Sequence, residues 1–183
     1  MLLSRDASQL VLVDLQERLA PAIHEFWAIV DQVSKLIEAA ATLGVPIVVS
    51  EQYVAGLGPT VEPLRSALRE NAKFEKTSFS CMGDSGLGDH IARAAQAGRS
   101  QVVLVGIEAH VCVLQTALDL RSAGYNPVVV TDAVGSRRSV SADAAKARLA
   151  SAGVQLVTTE MVLFEWLSRA GTPEFRALRH LLK

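Results

Sequence analysis

The chain has 183 residues, 50% of them hydrophobic, with 18 Lys and Arg against 19 Asp and Glu for a net charge of −1. That length suits a single domain, here residues 1–183, with a sizeable core. Evenly mixed charge excludes a nucleic-acid groove or a basic membrane patch, and no apolar run approaches the ~20 residues of a membrane span.

The N-terminus MLLSRDAS has no signal-peptide pattern, because the apolar run after it is short and ends on Asp14. A soluble cytoplasmic protein is the expectation. LVLVD (10–14) reads as a buried strand. Residues 26–43 carry helical spacing in Phe26, Ile29, Val30, Val33, Leu36 and Ile37, and Gly44 ends them. VPIVVS (45–50) is a second strand, followed by a Gly-rich loop over 50–60 in which Thr60 is placed to cap a short helix. KFEKTSFS (73–80) is a third, more polar strand with its exit; 87–97 is a helix ending at Gly98. QVVLVGI (101–107) is a fourth strand, leading into a helix from about His110 to Ala123. NPVVVTDA (126–133) is a fifth, 139–152 a helix, VQLVTT (154–159) a sixth strand, and the tail is helical with a break at Gly171-Thr172-Pro173. Near-continuous Val, Ile and Leu strands alternating with helices predict an α/β domain, a parallel sheet covered on both faces.

Several chemistries are set aside by missing motifs: no GxGxxG after the first strand, no GxxxxGK[ST] and no GxSxG. The aspartyl-phosphate pattern also fails, since Gln16 stands where a second carboxylate is wanted. The cysteines, Cys81 and Cys112, form neither CxxC nor a zinc spacing, and a reducing compartment disfavours a disulfide.

Three polar residues lie at carboxyl ends of strands: Asp14 after LVLV, Lys76 in KFEK and Cys112 beyond VVLVGI. In a parallel sheet these ends share one edge, where open α/β sheets place their sites. A thiol near a helix N-terminus and beside an ammonium is expected to ionise more easily. A nearby carboxylate supplies a general base, and backbone N–H groups in the turn before Cys112 can face the oxygen of a tetrahedral intermediate. The class implied is acyl transfer to water through a thioester.

Each residue also has an ordinary reading. A buried cysteine is usually a small core hydrophobe. Asp14 and Lys76 could simply be polar strand ends, Lys76 solvated or paired with Glu75. Cys81, in a loop, is read as non-catalytic. His110 stands two positions before Cys112 and on a helix would face elsewhere, although it could line a pocket. His24, His90 and His180 read as surface residues. Phe26 and Trp27 are core or pocket wall; Trp166 is packing. Gln52 and Tyr53 are placed to touch substrate or a neighbouring subunit. Ser136-Arg137-Arg138 either caps the next helix or binds an anion, the cap being favoured.

Asp14 in VLVDLQ, Lys76 in FEKTSFS and Cys112 in GIEAHVCVLQTALDL resemble the isochorismatase-like cysteine hydrolases over essentially the whole chain. SEQYVAGLGPT and VTDAVGSRR resemble the uncharacterised isochorismatase domain-containing branch more than nicotinamidases. The resemblance implies a three-layer α/β/α domain whose six-stranded parallel sheet has order 3-2-1-4-5-6. It implies Asp14 as base, Lys76 as electrostatic partner and Cys112 as nucleophile. It also implies a non-proline cis peptide at Ile107–Glu108 that aims the N–H groups of Glu108 and Cys112 at the oxyanion. Nicotinamidases of this fold bind a metal through an Asp-x-His pair and a further His after the second strand; here SEQYVAG has neither residue type, so no metal or other cofactor is expected. Isochorismate-cleaving members lack the cysteine, so Cys112 argues against that substrate. The expectation is a metal-independent cysteine hydrolase of a small amide-like or ester-like substrate, assembled as a homo-oligomer. The alternative is a non-catalytic binding or scaffold module on the same fold.

Overall fold

The computed structural model describes residues 1–182. Six strands form one all-parallel sheet: β1 (Ser8–Val13), β2 (Ile47–Gln52), β3 (Ala72–Lys76), β4 (Gln101–Ile107), β5 (Asn126–Gly135) and β6 (Gln155–Val157). Their order across the sheet is β3-β2-β1-β4-β5-β6, as the resemblance implied. The connections carry α1 (Phe26–Leu43), α2 (Val54–Leu57), α3 (Leu64–Ala67), α4 (Ser85–Gln96), α5 (Leu114–Ser122) and α6 (Ser139–Ser151). The chain closes with α7 (Thr159–Leu167) and α8 (Pro173–Leu178).

Alternation along β1 shows why the sheet needs cover on both faces. Leu10 and Leu12 enter one apolar cluster, with Val33 and Leu36 of α1 and Trp166 of α7. Val11 and Val13 enter the other, with Ile91 of α4, Ala117 of α5 and Leu149 of α6. Successive side chains of a strand point to opposite faces, so a strand apolar at every position must be buried twice. Among the described residues no helix is long and apolar enough to cross a membrane.

The strand order reverses direction between β1 and β4, and such a switch point opens a crevice at the carboxyl edge. Register fixes which residues meet there: Val13 pairs with Ser50 on one side and Gly106 on the other, and Gln52 pairs with Lys76. Several boundaries differ from the expectation. β2 runs two residues further, to Gln52, because β3 pairs with it to its end; β3 itself stops at Lys76, and residues 77–80 turn back over that side chain. Thr60 caps no helix. Its N–H and hydroxyl both donate to Glu51 Oε1, at 2.7 and 2.6 Å, which draws the loop back onto the end of β2.

Gly106 is the tightest backbone position near the switch point. Its φ is +115°, and a Cβ there would overlap the carbonyl of Val13 in the central strand. Only glycine accepts that conformation and that approach together. Gly106→Ala is expected to destabilise the fold by about 2–4 kcal/mol, through both backbone strain and overpacking. Urea unfolding of the variant, with its slope unchanged and its midpoint lowered, checks this.

Candidate active site

Asp14 follows β1 in the left-handed region, with φ 52°, and this turns its carboxylate along the sheet edge. The side chain is 1% exposed, and both oxygens are engaged. Oδ1 accepts from the Ser50 hydroxyl at 2.7 Å, and Oδ2 accepts from Lys76 Nζ at 2.8 Å. Lys76 is equally buried. Its ammonium also donates to Gln52 Oε1 at 2.6 Å and to the carbonyls of Ser78 and Phe79, each at 3.2 Å. Three N–H bonds are therefore shared among four acceptors, and no donor is left over. Burial opposes the ammonium's charge, but the charge of Asp14 and its hydrogen bond oppose burial, and Lys76 is held above the ordinary lysine range.

Cys112 does not open an ordinary helix. Residues Ala109–Val113 form one wide π-helical turn that runs into α5. Within that turn Cys112 lines a cavity with Asp14, while His110 turns away and its Nδ1 lies 2.9 Å from the Ser136 hydroxyl. The expected easy ionisation is reversed. Burial is the largest cause and the Asp14 charge the next; together they push the thiol well above its ordinary range against the opposing pull of Lys76. Cys112 is therefore held as S–H on the same cavity wall as the Asp14 carboxylate. Cys81 is fully buried nearby, its thiol also raised, first by burial and then by Asp14.

The cavity has a volume of about 110 Å³. Its polar wall is Asp14, Gln52, Glu108 and Cys112; its apolar wall is Leu19, Leu57, Phe79, Ile107 and Val111. The Ile107–Glu108 peptide is cis. A larger hollow of about 390 Å³, between α1, β5 and α6, contains none of Asp14, Lys76 and Cys112. Size alone would favour a still larger hollow of about 500 Å³ beside Trp27 and Val61, but the perturbed titratable groups converge on the small cavity, and chemistry decides the assignment.

The structure thus brings together Asp14, Lys76, Gln52, Ile107, Glu108 and Cys112. It does not bring in Tyr53, which is 57% exposed, or His110. The favoured cap at residues 136–138 is absent: Ser136 is engaged with His110, Arg138 begins α6 without a side-chain cap, and Arg137 donates from N and Nε to Glu108 Oε2, both at 3.1 Å. Phe26 is core, whereas Trp27 is exposed. Sequence reasoning missed Ser50. Its signal was present, a polar residue closing the apolar run VPIVVS next to the strand that carries Asp14. Among the described residues, no group of three or more His, Cys, Asp or Glu side chains is placed to hold a metal ion.

The charge of Asp14 raises the Cys112 thiol, so removing that charge must lower it. Thiolate absorbance near 240 nm should appear in the native protein only above the ordinary thiol range. In Asp14→Asn it should appear at distinctly lower pH, with Lys76 then unopposed. An unchanged titration in Asp14→Asn would mean that the carboxylate does not act on the thiol.

The Isochorismatase domain description matches residues 8–161. Over 181 residues the chain is 39% identical to isochorismatase domain-containing protein 2 of Danio rerio, covering 98% of this chain and 89% of that protein. It is 38% identical over 181 residues to isochorismatase domain-containing protein 1 of the same species, covering 99% of this chain and 62% of that longer protein. The solved structure of MAR1 ribonuclease from Caenorhabditis elegans is 37% identical and superposes with a TM-score of 0.91, covering 100% of this chain and 92% of that one. With a match of this extent, the chain belongs to the isochorismatase family, whose members are generally hydrolases.

Proposed function

We propose that this protein is a cysteine hydrolase that cleaves a small amide-like or ester-like substrate through a thioester, using Cys112, Asp14 and Lys76 and calling on no metal. The observation that carries the reading is the buried Asp14–Lys76 pair, at 2.8 Å, set against the Cys112 thiol on one cavity wall. Cys112 Sγ attacks the substrate carbonyl carbon while its proton passes to Asp14. The carbonyl π electrons move onto oxygen, and the backbone N–H groups of Glu108 and Cys112 are the donors assigned to that oxyanion. As the intermediate collapses, the C–N or C–O bond breaks and Asp14 returns the proton to the leaving group. Water then attacks the thioester with Asp14 as base, and Cys112 leaves as thiol. Lys76 holds the Asp14 side chain in place for each transfer.

The Caenorhabditis elegans relative is named a ribonuclease, which makes RNA a second substrate to weigh. The cavity speaks against it here: its polar wall carries the carboxylates of Asp14 and Glu108, and among the described residues no cationic side chain lines it to meet a phosphodiester. Purified protein should be assayed against small neutral amides, ureas and esters, with single-stranded RNA alongside. Cys112→Ala and Asp14→Ala are each expected to lose at least about 10³-fold in turnover while keeping the native circular dichroism spectrum. Full activity in Cys112→Ala on any substrate found would overturn the mechanism, and a wild type inert to the whole panel would favour the binding-module alternative. We also propose a homo-oligomer, since Trp27, Tyr53, Phe79 and Phe164 are large apolar side chains at the surface. Light scattering should give a multiple of the 19.6 kDa chain mass; a monomer at micromolar concentration would refute it.

A further inference from the structure

The cavity that holds Cys112 contains carboxylates and no available cation. Of its polar wall, Asp14 has both oxygens occupied by Ser50 and Lys76. Gln52 gives its amide oxygen to Lys76 and donates from Nε2 to the Thr77 carbonyl at 2.8 Å. Lys76, the nearest ammonium, is shared among its four acceptors. The guanidinium of Arg137 is held at Glu108 Oε2 and does not line the cavity. His110 Nδ1 stands 4.0 Å from the same Glu108 oxygen, also outside the lining. Both Arg137 bonds fall on one oxygen of Glu108, which leaves Oε1 without an Arg137 contact. The Glu108 side chain is only 11% exposed, so water screens its charge poorly.

From this arrangement we infer that the site takes small, uncharged substrates with an apolar body and rejects anionic ones, with Glu108 as the residue that sets the charge selectivity. The inference rests on the reading of Cys112 as an accessible nucleophile. An anion entering the cavity must desolvate among apolar side chains and sit near two carboxylates, only one of which is paired with a buried cation. A neutral amide meets no such repulsion, and its N–H can donate to Glu108.

Iodoacetamide and iodoacetate are nearly isosteric reagents that differ by one negative charge. With either, the Cys112 C–S bond forms as C–I breaks, iodide leaves and the thiol proton goes to Asp14. Rates are measured by peptide mass at Cys112, separately from Cys81, and each is divided by the rate for the urea-unfolded chain. At an effective dielectric of a near-surface site, the native preference for iodoacetamide should exceed the unfolded one by about 100-fold. Glu108→Gln should cut that excess about tenfold. Should Glu108→Gln fail to fold, Arg137→Gln, which strips the carboxylate of its counter-charge, should raise the excess several-fold. A native ratio equal to the unfolded one, or an excess untouched by either substitution, overturns the inference. Failure of both reagents to modify Cys112 overturns the nucleophile reading instead.

Discussion

A lysine and an aspartate, each about 1% exposed, face one another at the carboxyl edge of this sheet, and the site is built around the need to keep them there. Taking two ions out of water costs several kcal/mol each, even after relaxation. Coulomb attraction at 2.8 Å offsets this only if the remaining polar atoms are also satisfied. Here they are. Ser50 completes the carboxylate, while Gln52 and two carbonyls of residues 78 and 79 complete the ammonium. No buried side-chain nitrogen or oxygen among the described residues is left without a partner. Those partners come from β2 and from the segment after β3, so the pair ties three strand ends into one rigid wall. The Gln52–Lys76 register match makes this local: a one-residue slip of β3 would carry Lys76 to the other face of the sheet.

The central strand joins the ion pair to the thiol. β1 lies between β2 and β4, so the residue leaving it sits between whatever those neighbours present. β2 presents Ser50 toward Asp14. β4 approaches β1 at Gly106 without a side chain, and three residues later, at Ala109, the chain enters the wide turn that carries Cys112. Close approach at Gly106 and the extra width of the π-helical turn serve one end. They put the cysteine on the cavity wall with Asp14 and leave His110 on the opposite side of the turn, with Ser136.

Much of this was legible in the chain. Apolar runs set apart by glycine-terminated helical patterns marked all six strands, and the polar residues closing three of them marked the candidate trio. What escaped reading depends on contacts between distant segments. Thr60 looks like a cap by its local chemistry, but its N–H and hydroxyl donate to Glu51 at the end of β2, and α3 begins only at Leu64. Ser136 looks like a cap as well, and a histidine 26 residues earlier claims it. Glu108 was expected only as a backbone N–H donor, through the resemblance; that its side chain lines the cavity and meets Arg137 was not legible. The direction of the Cys112 shift was misread for a similar reason. A helix terminus and an ammonium both favour a thiolate, but local reasoning could not weigh them against burial and a carboxylate already paired with that ammonium.

That reversal clarifies what the ion pair contributes to the proposed chemistry. With Asp14 as carboxylate, Lys76 as ammonium and Cys112 as thiol, the group carries no net charge, which is the arrangement an apolar cavity tolerates best. When Cys112 attacks, its proton neutralises Asp14 and the negative charge moves to the substrate oxygen. The total is still zero. Lys76 does not line the cavity and keeps its bonds to Gln52 and the carbonyls of residues 78 and 79, so the oxyanion is left to the backbone donors. A resting thiolate would add a second anion to a buried site with one buried cation, and its attack would leave Asp14 charged with no proton to give the leaving group. Holding the thiol protonated until substrate arrives keeps the proton where the leaving group needs it, and the same neutrality explains why a cavity with no spare cation suits a neutral substrate.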